Sequence, residues 1–255
     1  MLINKCRRYY LLLFLGFSWI FYGCATIPPA KYDVQSSKHY QKKYDEVWEA
    51  IISSFSEANT PIKTIEKVSG IIATESMRIP FTQKDMGKYE SYYCDCGAPG
   101  GLNVYRAMRG QYNVFAKRIS EEQTTVQINT IFEASMWIGK DFLDWVYCSS
   151  KGLAEAKLLN SIESRLNIKM GRIGIYASGD GIIESFGLLS PAKEVGMQVG
   201  DKIIAIDGVE KKSLGELLPY LTGEPDTEVK ITVFRDGKNI DYIVKRKILD
   251  MKSVK

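Results

Sequence analysis

Residues able to do chemistry are few and far apart in this 255-residue chain. Cys94 and Cys96 stand one residue apart in "YYCDCGAPGG", and Cys148 follows in "WVYCSSKG". Thiols at such spacing could form a disulfide or hold a soft metal ion. A bridge between Cys94 and Cys96 would close a strained ring, so Cys148 is the better partner for either, leaving an odd thiol. Zinc would need a fourth ligand, Cys-x-Cys is atypical spacing for it, and the one histidine, His39, is distant. No metal and no cofactor is therefore expected. His39 is also the lone candidate base for a Ser-His-Asp triad, and it precedes the first expected helix. The sequence holds no Gly-x-Ser-x-Gly elbow, His-Glu-x-x-His or phosphate loop. Asp45 and Glu46 are adjacent, so they point to different helix faces and read as solvated surface. No catalytic residue is assigned.

The elements that would carry these residues begin with residues 40–60, "YQKKYDEVWEAIISSFSEAN". Tyr44, Val47, Ile51 and Phe55, with Trp48 and Ile52 alongside, form one apolar stripe of a helix that Pro61 ends. "PIKTIEKVSGIIATES" alternates around a Ser-Gly turn and predicts a hairpin. Residues 77–109 read as a Gly- and Tyr-rich loop holding the Cys pair. Period-two alternation returns in "GQYNVFAKRISEEQTTVQINTIFEASM", a second hairpin turning at "SEEQ". Leu153, Ala156, Leu159 and Ile162 then recur at helical spacing, with Ser150 as the expected cap. Helix, hairpin, loop, hairpin, helix predicts an α+β domain over residues 40–167 with an antiparallel sheet. Its opening, "YDEVWEAIISSFSEANTPIKTIEKVSGIIATE", resembles the helix-then-hairpin start of helix-grip units in envelope lipoproteins of the BamC type.

The chain after Lys169 has different punctuation. In "SPAKEVGMQVGDKIIAIDG", Pro191 and Ala192 suit the first turn of a short helix and Gly196 its end. Gly200-Asp201 turns into the strand "KIIAI", and Asp207-Gly208 turns out of it. Residues 213–216, "SLGE", form a capping box, and "TEVKITVFRDGK" a closing hairpin. Residues 168–249 resemble a bacterial PDZ domain of the kind found in carboxy-terminal-processing and HtrA proteases. The resemblance implies a partly open β-barrel with two helices, in which a guest peptide adds a strand beside a helix and its terminal carboxylate meets a backbone nest. It places the nest at Gly171, Arg172, Ile173 and Gly174, the edge strand from Ile175 and Tyr176, and the helix wall at Leu214 and Leu218. Leu217 and Leu221 read as core. Arg172 stands where the protease relatives often have Gly, and Pro219 interrupts the groove helix, which should kink or end early there. The Ser-Lys domain of the processing proteases follows their PDZ, whereas this sequence stops at Lys255.

Compartment comes from the other end. "MLINKCRRYYLLLFLGFSWIFYGC" has a basic start and an apolar run over residues 9–21, the layout of a secretory signal. "FYGC" resembles the bacterial lipobox, with Phe21 where an aliphatic residue is usual; this implies cleavage after residue 23 and a lipidated Cys24. Ala25, rather than Asp, implies sorting to the outer membrane, facing the periplasm, and residues 24–39 read as a tether. An uncleaved span over residues 9–27 is the alternative, and gives the layout of a secretion or transport component ending in a PDZ. Disulfides persist in either setting. Of the net charge of +4, three units precede Cys24, so the body is nearly neutral and has no electrostatic reason to bind nucleic acid. The expectation is a membrane-anchored, non-catalytic envelope protein holding a peptide or protein partner, with residues 250–255 as a tail. A regulatory subunit or degenerate relative of a PDZ protease is the remaining reading.

Overall fold

The computed structural model describes residues 26–85 and 88–249. The expected signal peptide, Cys24 and the tail from residue 250 lie outside them. Residues 26–36, expected within a tether, lie against the body instead. Ile27 exchanges two backbone hydrogen bonds with Ala98 (3.1 and 2.9 Å), and the Ile128 N–H donates to the Ser36 carbonyl at 2.7 Å. Strand β1 (Ser37–Tyr40) follows and pairs antiparallel with residues 124–127. His39 thus belongs to a sheet rather than a linker.

Helix α1 (Tyr44–Glu57) buries the stripe the spacing predicts, with Val47, Ile51 and Phe55 at most 2% exposed. Asp45 and Glu46 sit in its first turn, where the helix dipole favours negative charge. Strands β2 (Ile62–Glu66) and β3 (Ile71–Thr74) form the expected hairpin. The predicted loop is shorter than its composition implied. It contains β4 (Met77–Arg78), β5 (Thr82–Asp85), β6 (Lys88–Glu90) and β7 (Cys94–Asp95). Strand β8 (Asn103–Ser120) begins seven residues before Gly110, because Tyr105 and Met108 continue its buried face. β8 pairs along its length with β9 (Gln123–Ile138). β10 (Asp141–Ser150), with no buried face and a register shift between Phe142 and Asp144, offered no alternation to read.

Helix α2 (Leu153–Arg165) buries Leu153, Ala156, Leu159 and Ile162. Its cap corrects the sequence reading. Gly152, at φ 83°, occupies the N-cap position; Ser150 Oγ accepts the Gly152 N–H at 3.0 Å and donates to Glu155 at 2.9 Å. The sheet runs β2-β3-β8-β9-β10-β7, with β1 on β9 and β4 on β8. α1 and α2 cover one face, and Trp48, Ile51 and Phe55 meet Ile72, Val114, Ile128 and Ile162 in one core. Each fully buried aliphatic side chain there contributes about 1.5–3 kcal/mol relative to exposure.

The C-terminal part contains β11 (Gly171–Arg172), β12 (Ile175–Ala177), β13 (Ile183–Phe186), helix α3 (Pro191–Glu194), β14 (Lys202–Ile206) and β15 (Val209–Glu210). Helix α4 (Leu214–Leu221), β16 (Thr222–Gly223), β17 (Glu228–Arg235), β18 (Lys238–Lys245) and β19 (Lys247–Ile248) complete it. Its strands form sheets ordered β15-β14-β17-β18, β16-β11-β19 and β12-β13. Val229, Ile231 and Val233 alternate inward along β17 and meet Ile183, Ile203 and Leu217. Ser190 caps α3 by accepting the Lys193 N–H, with Pro191 in the first position where its missing donor is harmless. The whole is α+β, and no helix among the described residues is long and apolar enough to cross a membrane.

Candidate functional site

β12 hydrogen-bonds to β13 alone, so its other edge carries no strand among the described residues. Ile175 and Tyr176 of this strand share the walls of a cavity of about 280 Å³ with Leu218 and Leu221 of α4 and Thr222 just after it. Arg172, Ile173 and Gly174 also line it. The Ile173 carbonyl accepts from Ser190 Oγ (3.0 Å) and the Ala192 N–H (3.0 Å), and the Gly174 carbonyl accepts the Gly187 N–H (2.9 Å). In a planar trans peptide the next N–H points the opposite way, so the amides of Gly174 and Ile175 are directed away from those partners. Two such donors in succession suit an anion. Gly174 has φ +75°, and a Cβ would lie 2.8 Å from Ser190 Cα, so only glycine fits.

Six of the eight expected groove residues therefore surround one cavity. Gly171 lies behind it, buried between Gly223 and Ile248. Leu214 does not line it. α4 is short, and Leu221 supplies the second apolar contact one turn beyond Leu218 while also belonging to the core. Pro219 does not end the helix at once; α4 runs to Leu221, and the Thr222 N–H and Oγ1 both close on the Leu218 carbonyl. Five further residues line the cavity: Gly187, Leu188, Leu249, and Lys157 and Asn160 of α2. The α2 pair had no local signal, since only the docking of the two units brings it there. Lys157 and Arg172 are cations, and among the described residues no acidic side chain lines the cavity.

That docking depends on a close approach of backbones. A Cβ on Gly215 would lie 2.1 Å from the Lys151 carbonyl oxygen and 2.2 Å from the Leu153 nitrogen. Ser213 Oγ accepts the Glu216 N–H (3.3 Å), as a capping box requires, and also donates to the Lys151 carbonyl (2.7 Å). The reciprocal half of the box is altered. The Glu216 carboxylate accepts the N–H groups of Lys212 and Asp33, each at 2.7 Å, rather than that of Ser213. Asp33 also meets Lys211 Nζ at 3.3 Å. Within the C-terminal part, Asp201 is 1% exposed and held by Arg235 Nε and Nη2 at 2.5 and 2.6 Å. Burial opposes its charge, but Arg235 and the Gln198 N–H outweigh that and hold its carboxyl below the usual range.

The three cysteine sulfurs gather within 4.8 Å of one another. Cys96 and Cys148 are paired, with sulfurs 2.04 Å apart, and Cys94 is the odd thiol, 3.9 Å from Cys96 Sγ. Burial pushes the Cys94 thiol up to about 12, despite a hydrogen bond to Ser91 and the nearby Lys151. Three thiolates in this place could hold a soft metal, but pairing commits two of them. His39 Nδ1 lies 2.7 Å from Thr125 Oγ1 on the exposed pairing of β1 with β9.

Residues 178–245 match the PDZ domain model, and the C-terminal part is a PDZ domain. Over 59 residues the chain is 36% identical to a Campylobacter jejuni protein named as a zinc metalloprotease, covering 23% of this chain and 15% of that protein. The chain thus spans only a small part of that relative's length. Among solved structures, the photosystem II D1 C-terminal processing protease aligns at TM-score 0.31 and 22% identity, over 39% of this chain and 33% of its own. The HtrA-type protease AlgW with a decapeptide aligns at TM-score 0.31 and 7% identity, over 78% and 99%. The serine endoprotease from Yersinia pestis aligns at 0.29 and 11%, over 71% and 86%.

Proposed function

We propose that this chain is a membrane-anchored envelope protein that captures the C-terminal end of a peptide or protein partner in its PDZ groove and catalyses no reaction itself. The observation that carries the reading is the unpaired edge of β12 facing Leu218 and Leu221 across an apolar cavity. An extended guest would add a strand to that edge by backbone hydrogen bonds. Its carboxylate would take the Gly174 and Ile175 amides, and its last side chain the pocket at Leu218. Lys157 and Arg172 would add attraction for acidic guests. Lipidated Cys24 would hold the protein to the membrane, each buried acyl CH₂ contributing about 0.8 kcal/mol. In an oxidising envelope Cys96–Cys148 would be a disulfide closing a loop of 52 residues, with about 4 kcal/mol of stabilisation in the chain-entropy account.

A second reading, in which the groove serves a protease partner, draws support from the protease name of the matched Campylobacter jejuni relative. One experiment addresses groove and anchor together. Full-length protein is produced in a Gram-negative host with a labelled fatty acid, then probed with a library of peptides bearing free C-termini. Label on Cys24, lost in Cys24→Ser, supports the anchor. Enrichment of apolar C-terminal residues, lost in Leu218→Asp, supports the groove, and enrichment that survives Leu218→Asp contradicts it.

A further inference from the structure

The end of the large sheet where β8 starts and β9 turns into β10 is rich in apolar side chains that nothing among the described residues covers. Leu102 is 82% exposed, Phe142 46%, Leu143 44% and Ile138 41%. Trp137, Phe142 and Trp145 form a row of rings, with centroids 5.4 Å apart for the first pair and 6.4 Å for the second. The Arg106 guanidinium stands over the Trp137 ring at 4.8 Å and that of Arg109 over Trp145 at 3.8 Å. Exposed Lys140, Asp141 and Asp144 add charges of both signs. A belt of aromatic and aliphatic side chains interleaved with arginines is suited to the boundary between lipid headgroups and acyl chains.

The path of the chain says what covers it. Ile27 is bridged to Ala98 by two backbone hydrogen bonds, so the described chain starts at this end of the sheet. From Ala98 to Leu102 is four residues, at most about 14 Å of chain. From Cys24 to Ile27 is three, at most about 11 Å. Ile27 is fixed to the body, so a span expected over residues 9–27 would have to end before Ile27; that span, or an anchor at Cys24, leaves too little leash for the sheet end to leave the bilayer surface.

We propose that the surface formed by Leu102, Ile138, Phe142 and Leu143, with Trp137 behind them, docks on the lipid bilayer. The large sheet then stands on the membrane by its β9–β10 end. The inference rests on the membrane-anchored reading above, whichever anchor is used. The surface carries both charge signs, so zwitterionic phospholipid is a sufficient partner.

The test uses full-length Trp19→Phe protein in phosphatidylcholine vesicles, with or without bromine on the acyl chains. Bromine quenches tryptophan only at close range, so core Trp48 serves as an internal reference. The expected result is loss of Trp137 and Trp145 emission in brominated vesicles. That quenching should disappear in Phe142→Glu/Leu143→Glu and weaken in Leu102→Ser, each variant still floating with the vesicles and keeping the parent's circular dichroism. Protein that floats with vesicles and shows no quenching overturns the docking and leaves the anchor intact. Solvent protection of Phe142 and Leu143 without quenching overturns it too, assigning the surface to a protein or a second copy. Protein that does not float overturns the anchor, and the docking with it.

Discussion

Gly215→Ala is expected to destabilise the protein although alanine is the better helix former. Gly215 lies inside α4, where propensity alone would favour alanine by about 1 kcal/mol. The new Cβ, however, would meet the Lys151 oxygen at 2.1 Å, the Leu153 nitrogen at 2.2 Å and the Gly152 carbonyl carbon at 2.4 Å. All three are backbone atoms at the start of α2, so relief requires α4 to move away by roughly 1 Å or more, an overpacking cost of about 1–3 kcal/mol. The movement also breaks the Ser213–Lys151 hydrogen bond, worth about 1 kcal/mol. Setting the propensity gain against these leaves about 1–3 kcal/mol of net destabilisation, a shift of roughly 5- to 150-fold in the docking equilibrium. For a body of this size the melting temperature should fall by roughly 2–12 °C. Limited proteolysis should also cut sooner within residues 167–170, between the two parts. The assay is thermal unfolding by circular dichroism beside timed digestion. An unchanged or raised melting temperature with unchanged cleavage would refute the close docking of α4 on α2, and with it the place of Lys157 in the groove wall.

Further outcomes concern charge and sulfur. Asp201 has a folded-state carboxyl pKa below its ordinary value, so the stability it contributes is present above about pH 4 and lost as pH falls through the depressed value. Asp201→Asn should lower stability near neutrality and flatten the acid limb of the stability curve, read by denaturant midpoints between pH 2 and 7; an unaltered acid limb contradicts this. The buried Cys94 thiol, raised to about 12, should resist alkylation in the native protein at pH 8 and react on unfolding, as intact-mass measurement would register. Mass spectrometry without reductant should find Cys148 bridged to Cys96, and Cys148→Ser should lower stability by about 4 kcal/mol or less. A Cys94 bridge instead would overturn the pairing. Lys157→Glu, far from the PDZ sequence, should weaken capture of acidic peptides and leave neutral ones nearly unaffected.

How much of the fold the sequence discloses depends on whether a residue's role is local. The α1 stripe and the β2–β3 hairpin are set by side chains within one element, and their periodicity shows it. The Ser190-Pro191 start of α3 is likewise carried by adjacent residues. β10 escaped because it buries no face, so neither alternation nor an apolar run marks it. Ser150 looked like a cap because its type suits the role, but Gly152 occupies the position and Ser150 bonds to Glu155. The groove divides in the same way. Arg172, Ile173, Gly174, Ile175 and Tyr176 are contiguous, and a motif can carry them together. Leu221 replaces Leu214 because of how α4 is set against β12, a matter of helix rotation and length. Lys157 and Asn160 enter from α2 through Gly215, and a close approach of two glycine-bearing turns leaves no periodic trace.

The most direct measurement is calorimetric titration of the full-length protein in detergent with two versions of one peptide, selected for an apolar last residue. One version ends in a free carboxylate and the other in an amide. The carboxylate should bind at least roughly tenfold more tightly, about 1.4 kcal/mol, because only it can occupy the two outward amides at Gly174 and Ile175. Equal affinity for the two, or no binding of either, would contradict it.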